Sequence, residues 1–161
     1  MTNTMTAPRT LPARLDYDAA SPAGVAAFEK LGAYVNASGL EPEILDLVQL
    51  RASHLNGCAY CIDMHTKDMQ AHDESVQRVA GLSNWELAPF YTDRERAALA
   101  WTDAVTNVQS GHVSDEVYEE ARSFFDDKEI VDLTLAVLVI NGWNRIVAAF
   151  RPVPGSYKPS R

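Results

Sequence analysis

The last long segment limits what the rest of this chain can do. Residues 128–150, KEIVDLTLAVLVINGWNRIVAAF, contain no proline and read as one helix, apolar on nearly every side from Leu133 to Ile140. Such a helix has to be covered all round. A chain of 161 residues is long enough for one domain with a real core and too short for two. The remaining sequence offers helices to do the covering and almost no strand pattern. SPAGVAAFEKLGAYV has Ser21 as N-cap and Pro22 at the first helical position. After Pro42, EILDLVQLRASHL sets Ile44, Leu47, Val48, Arg51 and Leu55 at helical spacing, a stripe that should face a core. Asn56-Gly57 breaks that helix, and CAYCIDMHTKDMQAH starts another at Cys58. Thr92 with Glu95 forms a capping box ahead of a further helix, and SDEVYEEARSFF starts at Ser114. The expectation is an all-α, single-domain bundle of six to seven helices over 21–151, between a flexible arm (1–20) and a C-terminal tail (152–161). A domain this small rarely covers such a helix alone, so an oligomer is expected.

Charge narrows the partners. A formal net charge of −8 argues against nucleic acid and against an anionic membrane, both of which demand basic surface. The run LTLAVLVI is well short of a membrane span. The first twenty residues lack the apolar core of a secretory signal, so a cytoplasmic location is expected.

Both cysteines fall within NGCAYCIDMH, residues 56–65. In a cytoplasmic chain such a pair points to reactivity rather than to a structural brace. Zinc is one alternative. His54, Cys58, Cys61 and His65 follow one helical stripe, which spreads the outer histidines roughly 16 Å along a continuous helix. Tetrahedral zinc needs four donors about 2.0 to 2.3 Å from one centre. An open site of Cys58, Cys61 and His65 is the form of that reading left standing. A structural disulfide across two residues would remove little chain entropy. Two small core residues beside a surface histidine are the plain alternative.

Redox chemistry accounts for more of the pattern. A C-x-x-C pair opening a helix puts both sulfurs near unsatisfied amides and the positive end of the dipole, which stabilise a thiolate. His65 stands four residues after Cys61 on the same face, as proton acceptor or neighbouring cation. Cys58, one turn earlier, can close a disulfide on an oxidised Cys61. Thiolate, base and resolving thiol make a minimal peroxidase or dithiol oxidoreductase. A thioredoxin-like fold would need strands around the motif, and none is evident.

LDLVQLRASHLNGCAYCIDMHTKDMQAH closely resembles the core of the carboxymuconolactone decarboxylase superfamily in its alkylhydroperoxidase D-like branch. The shared pattern is an acid, Leu-Arg-x-Ser, Asn-Gly-Cys-x-x-Cys, and a histidine four residues on. The resemblance continues through TDRERAALAWTDAVT and VDLTLAVLVINGWNRI. It implies an all-helical fold that assembles as homo-oligomers, commonly trimers or hexamers. It also implies thiol-dependent reduction of hydroperoxides with no metal or organic cofactor, and electrons returned by a dithiol such as a lipoylated protein. By position, Cys61 would be the peroxidatic thiol, Cys58 the resolving one and His65 part of the proton relay. Asp46 would be the relay carboxylate, where the peroxidase has Glu. Tyr60 replaces a histidine found between the cysteines in other members. These two departures put the rate in question and keep two alternatives in view: the lactone decarboxylase branch, which needs no cysteine pair, and a redox-sensing or binding homologue without turnover. Arg51 and Ser53 suit packing as well as catalysis. His54 and His72 read as surface or partner-contact residues, and Trp85, Trp101 and Trp143 as core or interface.

Overall fold

The computed structural model describes residues 11–159, so the first half of the expected arm and the last two residues of the tail lie outside it. The described residues form eight α-helices and one 3-10 turn, with no strand among them. In chain order these are α1 (Tyr17–Ala20), α2 (Pro22–Asn36), α3 (Pro42–Leu55), α4 (Ala59–Ala71), α5 (Val76–Gly81), the turn Leu82–Asn84, α6 (Asp93–Thr106), α7 (Asp115–Phe124) and α8 (Asp127–Phe150). The count exceeds the six to seven expected because α1 and α5 are only four and six residues long. The starts follow the sequence signals. Thr92 and Glu95 make the capping box of α6, and Ser114 caps α7 by accepting from the Val117 amide. Asp126 and Glu129 form a second box that opens α8 one residue before the expected helix.

α3 is the middle of the bundle and packs on α4, α6 and α8. Ile44, Leu45 and Val48 enter a core shared with Trp101, Phe125, Leu133 and Val137, while Leu47 and Leu50 enter a second with Met69, Leu82 and Leu99. Arg51, between the two, holds the Asp103 carboxylate of α6 with two parallel bonds of 2.6 and 2.7 Å and donates to the Ser83 carbonyl at 2.9 Å.

α8 is less enclosed than its sequence suggests. Leu133, Ala136, Val137, Val139 and Ile140 are buried, but Val131 and Leu138, seven residues apart, remain 56% and 52% exposed. Its 24 residues include a window of mean hydropathy 1.5, long and apolar enough by those measures to cross a membrane. Here it serves as a core helix against α2, α3 and α6. Its approach to α2 depends on Gly142, where a Cβ would lie 2.4 Å from Phe28 Cζ.

Two connections position the candidate site. Gly57 turns the chain from α3 into α4 at φ +62°, a conformation glycine adopts cheaply. Asn56 beside it donates to the side-chain oxygens of Asn141 (3.0 Å) and Asn144 (2.9 Å) on α8, and Asn144 donates to Ser53 Oγ at 3.1 Å. At the other end of α8 the chain folds back along α4. The Gly155 amide donates to Asp63, Lys67 donates to the Gly155 and Tyr157 carbonyls, and the Tyr157 hydroxyl donates to Asp68. Arg14, from the described part of the arm, donates to the Phe150 and Ala149 carbonyls.

Candidate functional site

Cys58 is the N-cap of α4, and its sulfur accepts from the Cys61 amide at 3.4 Å. The two cysteines form a disulfide, with Cα atoms 5.3 Å apart. Both are buried, Cys58 to 5% exposure and Cys61 to 1%, with Val147 of α8 packed on them. The sulfurs therefore sit where the first turn of α4 directs its free amides, a position that favours negative charge on sulfur once the bond is reduced. They differ in access. A cavity of about 490 Å³ opens on Cys58, with Tyr60 beside it, whereas Cys61 does not line it. Val147 and Ala148 of α8 and the tail residues Arg151, Pro152 and Pro154 form its opposite wall.

His65 does not line that cavity. It faces a second one, of about 240 Å³, between α2, α3, α4 and α8, together with Gln49 and Asp68. Burial pushes its pKa down to about 4, so at neutral pH the ring is an uncharged imidazole. Its Nε2 is buried without a partner, and Nδ1 lies 3.8 Å from Asp68 Oδ2, beyond hydrogen-bond range.

The hydrogen bond of Asp46 goes to His72 and not to His65: His72 Nδ1 and Asp46 Oδ2 are 2.7 Å apart. Burial raises the Asp46 pKa despite that bond, and the bond raises the pKa of the largely exposed His72. The Asp68 charge raises both a little further, so Asp46 of α3, His72 and Asp68 are electrostatically linked, while the shift of His65 comes from burial alone. Asp68 is fixed from the tail by the Tyr157 hydroxyl at 2.7 Å, whose own pKa is pushed up to about 12 by burial and by this bond. His54 is half-buried, with its Nδ1 unpartnered and its pKa lowered first by burial and then by Arg51.

Of the four expected site residues, the structure joins Cys58 to Cys61, sets His65 on the same helix against a different cavity from that of Cys58, and pairs Asp46 with His72, which the sequence reads as a surface or partner-contact residue. Three contributors escaped the sequence reading. Asp68 had a visible signal, three residues after His65 on one helical face. Arg151 and Tyr157 reach the site only through the fold of the tail, which no local spacing reveals.

Residues 22–104 match the model of the carboxymuconolactone decarboxylase family. The uncharacterized protein YdfG of Bacillus subtilis strain 168 is 37% identical over 136 residues, 84% of this chain and 92% of its own. The fold is similar to that of ATU0492 from Agrobacterium tumefaciens, a protein of unknown function considered for an AhpD role in antioxidant defence. The TM-score is 0.85 at 42% identity, over 93% of this chain and all of that one. It is also similar to that of the debrominase Bmp8, with a TM-score of 0.76 at 21% identity over 86% and 74% of the two chains, a likeness of fold alone. With a family match over half its length and the dithiol at the start of α4, this chain belongs to the carboxymuconolactone decarboxylase family, in its alkylhydroperoxidase D-like branch.

Proposed function

We propose that this chain is a thiol-dependent hydroperoxide reductase that cycles Cys58 and Cys61 between dithiol and disulfide. The observation that carries the reading is the disulfide at the N-terminus of α4, with one sulfur opening on a cavity large enough for an organic molecule. In the reduced enzyme the Cys61 thiolate, the attacking thiol by the family resemblance, attacks the distal oxygen of the hydroperoxide; opening of the disulfide has to give Cys61 the access to the cavity that Cys58 alone has in the oxidised form. The S–O bond forms as the O–O bond breaks, and the alkoxide leaves with a proton as the alcohol. Cys58 then attacks the sulfenic sulfur, the S–S bond forms, and the hydroxide leaves with a proton as water. An external dithiol, such as a lipoylated protein, attacks the sulfur that faces the cavity, Cys58, and the Cys61 thiolate leaves; the donor's second thiol then attacks its own sulfur in the mixed disulfide, and the Cys58 thiolate leaves as the donor closes its disulfide.

Proton traffic falls to residues of α4. His65 is held neutral with a pKa of about 4, a weak base that can pass a proton on rather than keep it, and Asp68 is the acid nearest to it. Asp46 acts through His72 and the shared field. The protein works in the cytoplasm as a homo-oligomer, a trimer or hexamer joined through the exposed face of α8 that bears Val131 and Leu138. The test is steady-state hydroperoxide consumption with dithiothreitol and with a lipoyl donor, for wild type, Cys58→Ser and Cys61→Ser. Turnover is expected in the wild type alone. Turnover that persists in both variants would overturn the reading.

A further inference from the structure

The cavity beside the dithiol is oversized for hydrogen peroxide, a molecule little larger than water, whose share of liquid volume is about 30 Å³. At about 490 Å³ it falls within the range of sites that enclose small organic ligands. Its walls are mainly apolar: Leu11, Ala59, Val147, Ala148, Pro152 and Pro154. Arg151 is the one charged side chain among the described residues that line it.

That arginine is unlike the others. Arg51, Arg78, Arg94 and Arg122 each hold a carboxylate, and Arg14, Arg96 and Arg145 donate to carbonyl or amide oxygens. Among the described residues the Arg151 guanidinium makes no such bond, although the chain carries an excess of acids. Its backbone is also held at φ 58°, ψ 58°, closing α8 with its amide on the Val147 carbonyl. That left-handed conformation is disfavoured for a residue with a Cβ and is usually given to glycine. Arginine therefore occupies a place where the backbone alone would favour glycine, and it lines the dithiol cavity with its donors unspent.

We propose that the substrate of this site is an organic hydroperoxide carrying a carboxylate, an inference that rests on the peroxidase reading above. The apolar body lies against the walls from α8 and the tail, the carboxylate takes the paired donors of Arg151, and the hydroperoxide end reaches the dithiol. The balance is unchanged: two electrons from the two thiols reduce the O–O bond, giving the hydroxy acid, water and the disulfide. The carboxylate takes no part in the bond changes. The disulfide is reset in the same cavity by the external dithiol after the hydroxy acid has left.

The test compares cumene hydroperoxide with 4-carboxycumene hydroperoxide, both with dithiothreitol as reductant, in wild type, Arg151→Gln and Arg151→Lys. A second arm measures calorimetric binding of 4-isopropylbenzoate, which cannot be reduced by the dithiol. Wild type is expected to favour the carboxylated hydroperoxide by roughly tenfold or more in kcat/KM, the scale of one charge-assisted contact. Arg151→Gln should erase most of that ratio through KM, and Arg151→Lys should restore part of it. Isopropylbenzoate should bind wild type and lose affinity in Arg151→Gln. Equal kcat/KM for the two hydroperoxides, or binding of isopropylbenzoate indifferent to Arg151→Gln, would overturn the proposal. If neither hydroperoxide is consumed but isopropylbenzoate binds through Arg151, the peroxidase reading fails and the carboxylate site stands.

Discussion

Replacing His65 by glutamine should flatten the acid side of the stability profile. The pKa of His65 is about 4 in the folded chain because the ring is buried, against an ordinary value of 6.5. Between those values the unfolded state binds a proton that the native state does not, so stability falls as pH falls. The contribution is fully present above about pH 6.5 and fully lost below about pH 4. A gap of 6.5 to about 4, at 1.36 kcal/mol per unit, makes that loss about 3 kcal/mol. Glutamine fills a similar volume and does not titrate. Urea melts of wild type and His65→Gln at pH 7.5 and pH 4 isolate this term, because the Asp46–His72 pair is common to both proteins. Wild type should lose about 3 kcal/mol more than His65→Gln over that interval. Equal losses, or an imidazole that titrates near 6.5 by NMR in the folded protein, would refute the argument.

Other perturbations reach different parts of the account. Asp68→Asn should lower hydroperoxide kcat by roughly 100-fold, the low end for loss of a proton-transfer group, and Asp46→Asn by less. A larger loss for Asp46→Asn than for Asp68→Asn in steady-state assays would return the relay to Asp46. Gly142→Ala forces a methyl to within 2.4 Å of the Phe28 ring, so denaturant melts should show destabilisation by about 1–3 kcal/mol. Leu138→Glu places a charge on the exposed face of α8, and light scattering at micromolar concentration should show the wild-type oligomer dissociating. A wild type that scatters as a folded monomer would remove that interface.

Much of this architecture is legible where a local rule decides it. Thr92, Ser114 and Cys58 mark helix starts because a cap depends on a residue and the amides two or three positions on. The depth of α3 is less so. One stripe through Ile44, Leu47 and Val48 is visible, but Leu45 and Leu50 fill the remaining sides, and only the packed bundle shows that α3 is covered from both. For α8 the apolar pattern says that one chain will not cover it all, but not which of its faces meets α2, α3 or α6 and which is left open at Val131 and Leu138. The dithiol was plain from its spacing. The partner of Asp46 was not, because His65 and His72 lie seven residues apart on one helix face, and the choice between them depends on how far α4 runs past α3. Tyr157 and Arg151 enter through the folded-back tail, whose course is set by a left-handed residue and a string of tertiary hydrogen bonds rather than by periodicity.

On the proposed cycle, one hydroperoxide costs this chain both of its thiols. Reduced protein, freed of reductant and given a single equivalent of cumene hydroperoxide, can be quenched and assayed by mass spectrometry for thiol state and for alcohol formed. One alcohol per disulfide is expected, with the bond between Cys58 and Cys61 and reversed by dithiothreitol. A trappable sulfenic acid is expected on Cys61 in Cys58→Ser, and no such rapid reaction in Cys61→Ser. Folded protein that keeps both thiols while the hydroperoxide persists would contradict the cycle.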